Sequence, residues 1–495
     1  MSTVRWTSRP ILMGMGLTAL LVAWVLGVAP ADGSTLGAGC DDSRPADVHR
    51  AGGAPASAER DRVPCATETG FYTGETTIAV TQAGTVWFSA ADWEWALVRS
   101  DDQGASWERY AVPGPQAYPG CPGHTMGLSP LQCDNSQSAK NNTVADAFLY
   151  VDPVTDRLMW SKTYGYATCS SMNTTGDNGD TWQAVTQFAC PGGDYEKIAS
   201  GPAPAGTDAP TGDGHVYYTC TNGPAPTFVV GPTRICYKSL DSGQTWSATG
   251  SPVTPHPDAP GCLHFQEPMA VAQDGAAFEG RAYQPLGCSA LIPDNPDGNV
   301  RVAISDDQMA TWRYVVVPDG GVGSTAGLFG GVSLAVDDAG HVYVVWTGAD
   351  ARPYLSVSAD GGETWMGPMD IGKPGVTVAN PSPQVAAGAD GQIAVAYYGF
   401  EAGGSAATLN GYITESFDAA SGDPLLYSSM LNDPDDPLYF PTDGGSLPRN
   451  DYLGVTIAPD GTPWTALVKL LSPTPDGEGF VQSTGFAGRT VWDGE

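Results

Sequence analysis

The sequence predicts an all-β chain, a β-propeller of four-stranded blades, from three observations. A short phrase, Ser/Thr-x-Asp-x-Gly-x-Ser/Thr-Trp, recurs at separations of 50 to 75 residues, a period that marks a repeat architecture. Pairs of apolar runs joined by a short polar turn recur seven times. Glycine (63 residues) and proline (41) are abundant, as a chain built from many turns requires.

From the N-terminus, Arg5 and Arg9 precede an apolar run from Ile11 to Val28, and Ala29-Pro30-Ala31 is a small-x-small site. Residues 1–31 therefore read as a secretory signal peptide. An uncleaved signal anchor is the alternative, because about 18 apolar residues approach the length that spans a bilayer. Residues 32–70, rich in Ala, Pro, Asp and Arg, read as a linker or N-terminal cap, and residues 71–495 as the propeller.

Seven apolar hairpins count the blades. They lie at Ile78–Phe88, at Leu149–Trp160 and around Gly214, Gly275, Gly340, Gly391 and Gly461. Residues 332–365 spell out one blade: strand, tight turn, strand, loop, strand, Asp turn, and a fourth strand starting after Trp365. Radial repetition of such four-stranded units is a propeller. Seven blades follow from the count; six would require one hairpin to be an insertion.

The Asp phrase is complete at Ser100–Trp107, Thr175–Trp182, Ser239–Trp246 and Ser358–Trp365, and damaged at Ser305–Trp312, where Met309 replaces the glycine. The last two units lack it. Each copy stands between two strand-like runs, so a hairpin turn is expected. The carboxylates of Asp102, Asp177, Asp241, Asp307 and Asp360 would accept hydrogen bonds from the turn, while Gly104, Gly179, Gly243 and Gly362 supply the positive φ of the bend. Trp107, Trp182, Trp246, Trp312 and Trp365 would pack beneath the hairpins, largely buried between sheets.

This phrase resembles the BNR or Asp-box repeat of the sialidase (neuraminidase) superfamily and related propellers, over most of residues 71–495. The resemblance implies the fold and leaves activity open.

Composition narrows the partners. The net charge is −32, from 22 Lys+Arg against 54 Asp+Glu, so nucleic acid and anionic membrane surfaces are poor partners. A membrane contact is expected only through an uncleaved N-terminal anchor. Ten cysteines in an exported chain favour disulfides. Local pairing suggests Cys40 with Cys65, Cys121 with Cys133, Cys169 with Cys190, Cys220 with Cys236 and Cys262 with Cys288; connectivity is not fixed by sequence. Scattered histidines and the lack of a Cys-x-x-Cys pair argue against a metal or redox cofactor. The Asp-rich runs at Asp294–Gly298 and Asp433–Asp436 offer oxygen ligands for calcium, although neither has a known loop spacing, and solvated turns are the simpler reading.

In a four-stranded blade the turns between strands 1 and 2 and between strands 3 and 4 share one face. The 2–3 loops and the blade connections share the other. The first face is plain, apart from an excursion at Pro202–Asp213; the second carries long segments at 111–145, 250–267, 284–299 and 430–452. Long irregular loops on a rigid scaffold are where binding residues concentrate. Residues opening the innermost strands there are Glu75, Asp146, Asp194, Tyr195, Glu196, Glu267, Asp451 and Tyr452, with His264, Trp93, Trp95, Tyr118 and His124 on neighbouring loops. Acids beside aromatics suit a carbohydrate, since carboxylates bind hydroxyls and rings cover apolar sugar faces.

Sialidases hold a substrate carboxylate with three arginines, pair a tyrosine nucleophile with a glutamate, and use an aspartate as acid/base. By loop position alone, Arg281, Arg352 and Arg449 fall near the loop-rich face, Tyr452 or Tyr195 beside Glu267 or Glu196 would form the nucleophile pair, and Asp451 would be the acid/base. The Phe/Tyr-Arg-x-Pro motif of sialidases is missing from the opening strand, which reads Phe71-Tyr72-Thr73-Gly74-Glu75. The expectation is therefore an exported propeller that binds an extracellular glycan or glycoprotein, with a sialidase-like exo-glycosidase as the alternative and a protein-binding receptor or assembly propeller as the third reading.

Overall fold

In a computed structural model the described residues are 39–41, 43–89, 96–112, 144–164, 169–189, 195–222, 234–252, 262–263, 268–288, 298–321, 331–401, 403–404, 408–439, 453–475 and 481–494. They form seven antiparallel sheets. Blade 1 consists of Ile78–Val80, Val86–Ser89, Ala96–Ser100 and Glu108–Ala111, paired in that order from the axis outward. Blades 2 and 3 repeat this plan with inner strands Val144–Val151 and Lys197–Gly201. Blade 4 has a divided inner strand, Cys262–Leu263 and Ala270–Val271, both paired to Ala282–Cys288. Inner strands Val332–Val336, Val376–Ala387 and Gly454–Ile457 open blades 5, 6 and 7. The count of seven stands, and the six-bladed alternative falls.

Burial falls from the axis outward. In blade 5 the second strand, Val342–Thr347, is buried throughout, whereas the fourth, Met366–Asp370, is mostly half-buried or exposed. Neighbouring blades press their second strands together, and the largest sealed side chains lie there: Trp87, Trp160 and Trp346 are each 1 % exposed or less. A sealed indole of this kind contributes about 3–5 kcal/mol.

All five Asp phrases are hairpin turns with one geometry. In the first, Ser100 Oγ donates to Asp102 Oδ1 at 2.8 Å and receives the Gly104 N–H at 2.8 Å. The same Oδ1 accepts the Ser106 N–H at 2.8 Å, and Oδ2 accepts from Ser106 Oγ at 2.6 Å. These hydrogen bonds, led by the one from the Ser106 hydroxyl, hold the Asp102 carboxyl below its usual range. Two consecutive residues take positive φ, Gln103 at 58° and Gly104 at 86°. At Gly179 a Cβ would stand 2.8 Å from Cη2 of Trp87 on the preceding blade, so glycine is needed for close approach as well as for φ. Met309 keeps the turn, with φ 63° and its N–H 3.0 Å from Ser305 Oγ. Its side chain is sealed among Val216 and Tyr218 of the preceding blade, where a flexible thioether fills the space.

Three expectations need correction. The Asp-box tryptophans 107, 182, 246, 312 and 365 are half-buried rather than largely buried, because they sit beside the outermost strand. Trp182 meets Trp87 edge-on at 6.3 Å, and Trp107 donates its indole N–H to Thr67 at 3.2 Å. Second, the sixth unit keeps half of the phrase: Ser416 Oγ donates to Asp418 Oδ1 at 2.9 Å, without the glycine or tryptophan. Third, the linker or cap expected for 32–70 contains blade strands. Arg62–Glu68 pairs with Val481–Trp492 as the fourth strand of blade 7, and Asp47–Arg50 adds a fifth strand to blade 6. The ring is thus closed by the N-terminal segment, and blade 7 has no hairpin between its third and fourth strands in which an Asp phrase could lie.

Disulfides join Cys40 to Cys65, Cys220 to Cys236 and Cys262 to Cys288, three of the expected pairs. In each, the two cysteines are direct partners on adjacent antiparallel segments. The pairs Cys121–Cys133 and Cys169–Cys190 lie outside the residues whose side chains are described. Among the described residues no helix is long and apolar enough to cross a membrane.

Candidate functional site

Inner strands run from the loop-rich face to the plain face, so residues preceding them stand at the loop-rich mouth of the ring. Glu75 and Tyr195 occupy such positions with positive φ, 50° and 53°. This conformation is uncommon for residues with a Cβ and is held only where surrounding structure enforces it. Glu75 is half-buried and Tyr195 is 9 % exposed. Glu196, wholly buried, accepts a hydrogen bond from Ser170 of blade 2. The side chains of Asp146, Asp194, His264, Glu267, Asp451, Tyr452 and Arg449, and those of Trp93, Trp95, Tyr118 and His124, lie outside the described residues.

Blades 2 and 3 add charged groups that the sequence reading did not single out. Lys162 is wholly buried; its ammonium lies 3.4 Å from the Trp160 ring centroid and donates to Asn173 Oδ1. Burial holds this amine well below the usual lysine range, against the opposing pull of the Glu196 charge. Lys197 is 1 % exposed with Nζ 5.0 Å from the Phe148 ring, and Arg234 is 0 % exposed. Only six lysines occur in the chain, and two are buried here. A lysine inside an apolar strand run, as in Leu158-Met159-Trp160-Ser161-Lys162, was the available signal.

The two candidate arginines among the described residues, Arg281 and Arg352, do not converge. Arg281 belongs to the plain face, not the loop-rich one: its guanidinium pairs with Asp306 at 2.6 Å and donates to Gly361 O at 3.1 Å, beside two Asp turns. Arg352 opens the third strand of blade 5 on the loop-rich side. Its fork grips Asp370 at 3.0 and 3.1 Å and also donates to the carbonyls of Gly372, Lys373 and Val376. That guanidinium is occupied by structure.

On the plain face, charge is consumed by contacts between blades. His215 of blade 3 is 3 % exposed; its Nδ1–H donates to Asp152 of blade 2 and its Nε2–H to Asp274 of blade 4, each at 2.6 Å. Burial disfavours the imidazolium, but the hydrogen bonds and charges of Asp152 and then Asp274 outweigh it and push its pKa up to about 9. Asp152 also accepts from Ser200 Oγ at 2.5 Å and from two backbone N–H groups of its turn, Val154 and Thr155. Asp337, His341 and Asp390 lie close enough together to suggest a cation site. The donor set argues against one, because the Asp337 carboxylate already accepts from Ala339 N, His341 N, Tyr343 OH, Gly391 N and His341 Nδ1. In the run 433–436, Asp433 caps its own turn and Asp436 pairs with Lys469 at 2.6 Å. The run Asp294–Gly298 lies largely outside the described residues.

No family model matches the chain, and no curated protein does. Among solved structures it is similar to the Hadza microbial sialidase Hz136, with 11 % identity, TM-score 0.42, and coverage of 81 % of this chain and 73 % of that one. A leech intramolecular trans-sialidase matches with 14 % identity and TM-score 0.42 over 85 % of this chain and 69 % of that one. A Dyadobacter fermentans protein of unknown function matches with 12 % identity and TM-score 0.41 over 92 % and 100 %.

Proposed function

We propose that this is an exported propeller that binds an extracellular glycan or glycoprotein through its loop-rich face, centred on blades 1 to 3. The observation that carries this reading is the placement of Lys162, Glu196, Lys197 and Arg234, buried at the loop-rich ends of two adjacent blades. Burying charge is costly to stability and is concentrated at functional sites. Tyr195, held at positive φ and 9 % exposed, immediately precedes Glu196 on the same strand opening. The disulfides suit an oxidising compartment outside the cytoplasm.

Binding is favoured over sialidase-type hydrolysis because a substrate carboxylate taken out of water needs cations in fixed geometry. Two of the three candidate arginines are committed elsewhere: Arg281 to Asp306, and Arg352 to Asp370 and three carbonyls. The test combines a fluorogenic sialoside with an array of neutral and basic glycans. The expected result is no appreciable sialic acid release, with retention on some glycan or glycoprotein that weakens when Tyr195 and Glu196 are replaced together. Robust sialoside turnover abolished by Arg449→Ala would overturn the reading in favour of the hydrolase.

A further inference from the structure

The seam between blades 6 and 7 on the plain face differs from its neighbours. Around blades 1 to 5 the Asp turn of each blade covers the seam with the preceding one. Gly104 lies against Trp464, Gly179 against Trp87, Gly243 against Met159 and Gly362 against Ile304, while Met309 sinks into the cluster around Tyr218. Blade 7 has no such turn, because its fourth strand arrives from the N-terminus. The uncovered seam is open: a cavity of about 790 Å³ lined by the inner strands of every blade extends past Gln392 and Asp460 to Arg62, Phe417 and Trp492.

The outer end of this groove has its own chemistry. Phe417 and Trp492 stack at 5.2 Å, and Tyr427 meets Trp492 edge-on at 5.7 Å. Phe417 is 37 % exposed, one of few large apolar side chains open to solvent. Arg62 is 3 % exposed and lies 4.6 Å from the Trp492 ring centroid. Its Nη2 donates to Glu415 at 2.7 Å and to the Thr490 carbonyl at 2.9 Å. Among the described residues neither Arg62 Nη1 nor the Trp492 indole N–H has a protein acceptor, so two donors are left beside an exposed ring in one groove.

We propose that this seam is a second binding site, independent of the loop-rich face, and that it takes a neutral oligosaccharide. Aromatic rings cover the apolar face of a sugar, and fixed N–H donors read its hydroxyls. The charge balance selects against an acidic sugar. Arg62 is already neutralised by Glu415, both side chains being 4 % exposed or less, and Asp156, Asp338 and Asp460 line the same cavity. Arg60, 5.0 Å from the Trp492 ring centroid, adds one cation at the outer end, against the three lining carboxylates, so an anionic ligand would still meet net negative charge along the cavity.

The test is calorimetric titration of the intact protein with neutral tetrasaccharides of glucose, mannose, galactose and xylose. Sialyllactose and a galacturonate tetramer serve as anionic arms, and a basic peptide as a protein-like competitor. One neutral series should bind. Phe417→Ser should weaken it at least about tenfold by removing the exposed ring, and Trp492→Phe, which keeps the ring and deletes the donor, should weaken it several-fold. Unchanged melting temperatures show that the variants fold, and Phe417→Ser should keep whatever glycan the loop-rich face retains. Absence of neutral-sugar binding by the wild type at about 10 mM, where even weak sites register, would overturn the proposal. So would affinity unchanged in both variants, or preference for the anionic sugars or the peptide.

Discussion

Raising the pH should loosen the ring at one identifiable place, the imidazolium of His215 held between Asp152 and Asp274. Its folded pKa is about 9 against an ordinary 6.5. A group whose pKa is raised by folding contributes fully below its unfolded value, so this contribution is complete below pH 6.5 and disappears as pH rises through 9. A shift of about 2.5 units corresponds to about 3 kcal/mol at 1.36 kcal/mol per unit. The Asp152 half dominates, since that side chain is 0 % exposed, while Asp274 is 51 % exposed and screened by solvent. The lowered pKa of Asp152 is the other side of the same contact and is not added. Guanidinium unfolding of wild type and His215→Gln at pH 6, 8 and 10, disulfides intact, separates this term from general repulsion, because the net charge of −32 acts on both proteins alike. At pH 6 the variant should be less stable by about 3–5 kcal/mol, as when a buried pair loses one member. By pH 10 most of that gap should close. A gap that stayed constant or widened with pH would refute the charged bridge.

Gly179→Ala should destabilise by about 2–3 kcal/mol, combining φ strain with a clash against Trp87. Gly84→Ala, with φ 81° and nothing within 4 Å of the new Cβ, should cost about 1 kcal/mol; equal melting shifts would contradict the close-approach argument. Trp160→Ala should cost about 3–5 kcal/mol and Trp246→Ala clearly less, since the first is sealed between blades and the second half-exposed; chemical denaturation of the two variants orders them. Peptide mapping of non-reduced protein should recover Cys220 linked to Cys236 and Cys262 linked to Cys288, and free thiols at both pairs would contradict the cross-strand assignment.

The repeats alone determined the propeller, its seven blades and the positions of the five Asp turns of blades 1 to 5, because these features are local. A turn that needs Ser, Asp and glycine within five residues writes all three into the sequence. Inner hairpins such as Val332–Trp346 were legible because they are buried on both faces and read as continuous apolar runs. Outer strands such as Ser247–Ala248, exposed at both residues, carry no such signal. What only tertiary structure decided is non-local. Arg62 meets Trp492 across 430 positions of sequence, and no spacing rule foretells that residues before the first repeat complete the last blade. The same holds for charge. Arg281 and Arg352 looked like free cations near a loop face, and folding brought each its own carboxylate, Asp306 and Asp370. Lys162 and Glu196 lie 34 positions apart in the sequence and come under one face only because adjacent blades place their strand ends side by side.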